Sequence, residues 1–135
     1  AYRIRGLKGE KISEEPGAWV FAKLPSNPDV LIGGLYNGLQ VFEKVNNSWK
    51  KRRTLPGFPE SSRVMEFDKD GALWVTHGYK GAYRINLTSD SLRKVEYYGA
   101  GKGFPSNNLI NVFSIRNELI FTGEYGLYRY NASNN

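Results

Sequence analysis

The sequence predicts an all-β fold: a partial β-propeller of about three blades, each a four-stranded antiparallel meander. The first observation is a repeat, because three similar segments share a glycine at Gly38, Gly81 and Gly126, 43 and 45 residues apart. A second landmark agrees, since Gly-Phe-Pro at residues 57–59 recurs 46 residues later, at 103–105. Between these landmarks, apolar residues alternate in short runs separated by Gly, Pro, Asn and Asp, as in strands and turns. Four short strands per ~43 residues indicate a propeller blade.

The second repeat shows its strands most clearly. They are predicted at residues 64–67, 72–76, 82–85 and 94–98, and Asp68–Gly71 has the composition of a tight hairpin turn. The whole chain, 1–135, is then part of one domain with blade cores at about 18–54, 62–98 and 112–130, the last without a fourth strand. Residues 1–7 begin with a copy of a third strand. They are predicted either to belong to a preceding blade or to complete an unfinished one.

Composition narrows the possible chemistry. A chain of 135 residues is long enough for one domain. It has no Cys and one His, which excludes disulfides, thiolate nucleophiles and Cys-ligated metals, and we expect no cofactor and no metal site. Asp68 and Asp70 could suggest calcium, but the twelfth position of such a loop, which requires Glu, is Tyr79. We therefore interpret the two aspartates as turn residues.

The distribution of charged and apolar residues indicates which classes of partner the chain can bind. The net charge is +6 and residues 50–53 are Lys-Lys-Arg-Arg, which can indicate binding to nucleic acid. This run falls in the predicted outermost strand of the first blade, where Lys and Arg prevent pairing with foreign strands. We therefore expect no nucleic-acid partner, and no membrane contact by this segment because no apolar run approaches ~20 residues. Three blades do not close a ring, so exposed blade faces and strand edges predict self-association.

Strand direction predicts a ligand-binding rim. In a four-stranded meander, the loop between the second and third strands lies at the same end as the loop into the next blade. Several loops therefore meet at one rim, and their aromatic, amide and charged groups suit stacking on sugar rings and hydrogen bonding to their edges. The candidate ligand-binding residues are Tyr36, Asn37, Arg63, His77, Tyr79, Lys80, Asn107, Asn108, Glu124 and Tyr125.

A family resemblance rests on the middle repeat. Residues 68–77, Asp-Lys-Asp-Gly-Ala-Leu-Trp-Val-Thr-His, and 81–85, Gly-Ala-Tyr-Arg-Ile, resemble the two-component-regulator propeller repeat. Residues 103–108 resemble the start of the next repeat, whereas residues 25–29 and 116–118 depart from the Asp-Gly turn. The resemblance implies the periplasmic sensor region of a bacterial hybrid two-component or one-component regulator. Such regulators are common in Bacteroidetes, where their propellers sense glycan breakdown products.

The leading interpretation is a sensor module that recognises an oligosaccharide and has no catalytic activity of its own. One alternative is a fragment of a propeller enzyme, such as a glycan lyase, lactonase or hydrolase. Glu66, His77 and Glu124 are the scattered candidates for that chemistry, and His77 is more simply interpreted as a loop or strand-end residue. Another alternative is a protein-interaction scaffold. Trp74 is predicted to pack in the core rather than against a ligand.

Overall fold

The computed structural model of the protein describes residues 1–131, and over this range the fold is all-β, without a helix. The strands form several antiparallel sheets, one of which is curled. The first two strands, β1 (Tyr2–Arg5) and β2 (Lys8–Lys11), form a separate antiparallel pair. Among the described strands, β1 has no other partner, so it does not complete an unfinished sheet within this chain. In the described part of the chain, no helix could cross a membrane.

The first sheet has four antiparallel strands in sequence order, and it extends over β3 (Val20–Leu24), β4 (Asn27–Leu35), β5 (Gly38–Val45) and β6 (Ser48–Leu55). The Lys-Lys-Arg-Arg run lies in the edge strand β6, as predicted. Three of its four cations pair with carboxylates: Lys51 with Glu15, Arg52 with Glu43 and Asp90, and Arg53 with Asp90. The run is therefore largely neutralised at the edge of the sheet.

The middle sheet consists of β7 (Val64–Phe67), β8 (Leu73–His77), β9 (Gly81–Leu87), β10 (Leu92–Ala100) and β11 (Gly103–Phe104). Four strands were predicted for this sheet, and the structure has five, because the short strand β11 pairs in parallel with β10. The reason is local: Gly101 and Gly103 both have positive φ, which lets the chain reverse and return beside residues 99–100.

The last sheet has three antiparallel strands, β12 (Asn111–Ile115), β13 (Glu118–Gly123) and β14 (Gly126–Arg129). Within residues 1–131 it has no fourth strand, as predicted, and residues 132–135 of the predicted domain lie outside the described residues. Phe113, Ile115 and Leu127 of this sheet are exposed, as are Tyr2 and Ile4 of β1. Exposed apolar side chains such as these can associate with a second copy of the chain. Self-association itself stays a prediction.

The core lies between the sheets. One buried cluster joins the first and middle sheets and includes Ile32, Val41, Leu73 and Val75. A second cluster joins the middle and last sheets around Trp74, which is 1% exposed and lies 4.8 Å from Phe121 between ring centroids. Successive residues of β8 therefore face opposite clusters, because side chains alternate across a strand. The middle sheet is buried on both faces.

The Asp68 carboxylate forms hydrogen bonds both within the hairpin turn and to the side chains of this core. One of its carboxylate oxygens accepts hydrogen bonds from the backbone N–H groups of Asp70 and Ala72. The other accepts from the Trp74 indole at 3.1 Å and the Arg84 guanidinium at 2.9 Å. The burial of Trp74 thus leaves no indole donor unsatisfied, and the aspartate has the turn role predicted for it.

The junction between the first and middle sheets depends on a close approach at Gly34. The backbone of Ser62 crosses β4 there and donates from its N–H to the Leu35 carbonyl at 2.8 Å. A Cβ on residue 34 would collide with the Ser62 carbonyl oxygen, which is backbone and has little freedom to move. The chain from the first to the middle sheet can therefore cross at this point only if residue 34 is glycine.

We predict that Gly34→Ala lowers the free energy of unfolding by ~1–3 kcal/mol, because the added methyl group overpacks this crossing. The control is Gly9→Ala in β2, where the nearest atom to an added Cβ is 3.9 Å away. Urea unfolding followed by circular dichroism measures both. A Gly34→Ala variant as stable as the Gly9→Ala control would contradict the crossing.

Candidate functional site

A cavity of about 420 Å³ lies where loops of the first and middle sheets meet, and we call it the rim cavity. Six of the ten predicted ligand-binding residues line it: Tyr36, Asn37, Arg63, His77, Tyr79 and Lys80. They come from the β4–β5 turn, the segment before β7, and the end of β8 with the turn that follows it. The remaining lining residues are Pro59, Glu60, Ser61, Thr76 and Gly78.

Backbone hydrogen bonds hold these segments together. The Gly38 N–H donates to the Glu60 carbonyl at 2.9 Å, and the Ser62 N–H donates to the Leu35 carbonyl. Gly38 has a φ of 97°, and a side chain there would meet the Phe58 carbonyl oxygen. The β4–β5 turn and residues 58–62 therefore form one bonded unit, which fixes that wall of the cavity.

Two aromatic residues and one arginine pack together beside the cavity, and two of the three, Tyr36 and Arg63, line it. The rings of Trp19 and Tyr36 meet edge to face with centroids 5.0 Å apart, and both are partly exposed, at 42% and 54%. The Arg63 guanidinium lies over the Trp19 ring at 4.7 Å. Trp19 was missed from the candidate residues, although the sequence carries a signal: it stands 44 residues before Arg63, at the same place in the preceding repeat.

Lys80 and His77 lie on the middle-sheet side of the cavity, next to Glu60 of the connecting segment. Lys80 donates to a Glu60 carboxylate oxygen at 2.8 Å, and this hydrogen bond is the main cause that raises the pKa of Lys80. Burial lowers the pKa of His77, and the positive charge of Lys80 lowers it further, against the opposing effect of Glu60. The Nδ1 atom of His77 accepts a hydrogen bond from the Tyr79 N–H at 3.4 Å, which places the proton of the neutral ring on Nε2.

The other four predicted residues lie at the next junction and do not line the rim cavity. Asn107 and Asn108 precede β12, and the Asn107 carbonyl accepts from the Gly81 N–H. The Asn107 side-chain oxygen already accepts from the Tyr97 hydroxyl at 2.7 Å and from the Ala100 N–H. Glu124, beside Tyr125 in the β13–β14 turn, accepts from Ser106 at 2.8 Å. These contacts fasten the last sheet to the middle sheet.

Two other cavities of the surface are smaller than the rim cavity. Their volumes are about 280 and 210 Å³. The first lies beside the Asp68–Asp70 turn, and the second lies between the middle and last sheets against Trp74. In residues 1–131, no group of three or more His, Cys, Asp or Glu side chains is placed to hold a metal ion. The rim cavity is therefore the candidate site: a recess of aromatic, amide and charged groups that can stack and hydrogen-bond.

Comparison with known proteins adds no assignment to this geometry. No protein-family model matches the chain, and neither a curated protein nor a solved structure is significantly similar to it. The resemblance to regulator propeller repeats therefore rests on the sequence motifs alone.

We predict that His77 titrates below its ordinary pKa of about 6.5, because burial and Lys80 both disfavour the imidazolium. Since the unfolded chain then binds the proton more readily, the free energy of unfolding falls as the pH drops from above 6.5 through the folded-state pKa. The single His makes its Hε1 resonance unambiguous in an NMR titration.

The matched variant is Lys80→Met, which should raise the His77 pKa by removing the cation and leaving Glu60 unpaired. Lys44→Met, which changes a lysine of β5 outside the cavity, should leave it unchanged. A midpoint at or above 6.5 in the unmodified protein, or the same midpoint in Lys80→Met, would contradict this electrostatic account.

Proposed function

We propose that the chain is an arc of a β-propeller. The support is the way the sheets meet: β7, the first strand of the middle sheet, contacts β3 and β12, the first strands of its two neighbours. Strands that begin each sheet therefore lie side by side, as they do around a propeller axis. Each sheet contains an antiparallel meander, and the two faces of the middle sheet pack against different neighbours, which agrees with blades stacked in sequence.

We further propose that the rim cavity binds a carbohydrate. The observation that carries this proposal is the presence of exposed Tyr36 and Tyr79 rings beside the amide of Asn37 and the hydroxyl of Ser61, in one recess. Aromatic faces stack on the C–H faces of sugars, while amides and hydroxyls bond to the sugar hydroxyl groups. A volume of about 420 Å³ lies within the range of small-molecule sites.

The biological role we propose is that of a sensor module in an extracytoplasmic, periplasmic bacterial regulator, as the resemblance implies. The cavity is lined by two sheets, so a ligand that contacts both favours one placement of the first sheet against the middle sheet. The enzyme alternative gains no comparable support. Of its candidates Glu66, His77 and Glu124, only His77 lines the rim cavity.

We predict that Tyr79→Ala weakens binding at least fivefold, equivalent to ~1 kcal/mol, because it removes a stacking surface from the cavity. Tyr125→Ala is the matched control, since both tyrosines are 69% exposed in equivalent turns and only Tyr79 lines the cavity. A glycan array selects the best-bound oligosaccharide, and titration calorimetry with that compound compares the variants. An array without a bound glycan, or equal losses in the two variants, would contradict the proposed site.

A further inference from the structure

The charges of the rim cavity do not cancel. Its lining contains two permanent cations, Arg63 and Lys80, and one carboxylate, Glu60. Glu60 is already engaged by Lys80 at 2.8 Å. Within residues 1–131, no carboxylate lies within ion-pair distance of Arg63, and its guanidinium lies over the Trp19 ring. His77 adds no charge near neutral pH because its pKa is lowered. The cavity therefore carries one positive charge that the protein leaves unpaired.

The way Arg63 is held favours recognition of an anion. A guanidinium that lies over an aromatic ring uses its face for that contact, whereas its N–H groups point outward in its plane. These N–H groups form a planar fork that matches a carboxylate through two parallel hydrogen bonds. The stacking on Trp19 thus restrains Arg63 and leaves its donors available.

Trp19, on which the Arg63 guanidinium lies, is held by two contacts. Its backbone N–H donates to the Gly34 carbonyl at 2.9 Å, and its ring meets Tyr36 edge to face. The residue before Arg63, Ser62, is fully buried, and its hydroxyl donates to the Glu60 carbonyl. Arg63 itself immediately precedes β7. Arg63 thus belongs to the middle sheet through its backbone, and its guanidinium lies on Trp19, the residue before β3 of the first sheet. A donor restrained in this way loses little conformational freedom when it binds a ligand.

We propose that the ligand of the rim cavity is an acidic saccharide, whose uronic-acid carboxylate is bound by Arg63 while its sugar rings contact the neighbouring aromatic side chains. This inference rests on the proposed carbohydrate binding and adds the chemical class of the sugar. Arg63 is the specificity-determining residue, because a neutral sugar offers no group that compensates its charge.

The test uses an array on which each uronic-acid oligosaccharide stands beside its carboxyl-reduced form, in which only –COO⁻ is replaced by –CH₂OH. We expect the acidic member of the best-bound pair to bind about 10- to 100-fold more tightly, as for a charge-assisted pair of hydrogen bonds. Arg63→Gln should remove this preference and leave binding of the reduced form within about twofold. Arg93→Gln, an exposed arginine of β10 outside the cavity, should change neither.

The other outcomes distinguish failure of the acidic-saccharide inference from failure of the carbohydrate proposal. Equal binding of both members of every pair, or an acidic preference that persists in Arg63→Gln, overturns the acidic inference and leaves the carbohydrate proposal standing. An array on which no saccharide binds overturns both. Circular dichroism and urea unfolding of Arg63→Gln show whether the variant is folded, and Arg63→Lys, which keeps the charge without the planar fork, should retain only part of the preference.

Discussion

The sheets are held together by stacking, in which the two faces of the middle sheet pack against different neighbours. A short four-stranded sheet with apolar residues on both faces can exclude water only if it lies between two neighbours. In β8 this requirement is visible residue by residue: Leu73 and Val75 join one core cluster, and Trp74 joins the other. The same stacking brings the second-to-third-strand turns of the first and middle sheets together at the rim cavity.

The rim cavity is a consequence of one of these junctions. Its walls belong to two sheets, and the segment that connects them is bonded to the β4–β5 turn at Gly38 and Leu35. Because the connection needs glycine at positions 34 and 38, the geometry of the cavity is encoded partly by residues that would not contact a ligand. Ligand affinity and the stability of the junction should therefore be coupled.

Much of the fold could be predicted because the repeat and the period-two pattern are local properties of the sequence. The first strand of the middle sheet falls at residues 64–67 as predicted, and the cationic run lies on an edge strand. Residues 25–29, which stand in the first repeat where the middle repeat has its Asp-Gly turn, do not all belong to a turn: β4 already begins at Asn27, and a register shift opposite β3 accommodates Pro28. The candidate site was less predictable: Trp19, which contacts Tyr36 and Arg63, was missed, and Asn107 is occupied by internal hydrogen bonds. Both facts depend on contacts across a junction, which no single repeat contains.

A nuclear Overhauser spectrum tests the stacking most directly. We expect cross-peaks between stacked sheets, from the Trp74 ring to the Phe121 ring at 4.8 Å and from the Trp19 ring to the Arg63 side chain at 4.7 Å. The Phe21 and Phe42 rings, 5.4 Å apart within the first sheet, supply the internal reference. A spectrum in which the Phe21–Phe42 cross-peak is present and both cross-peaks between sheets are absent would contradict the stacked arrangement and the cavity that it forms.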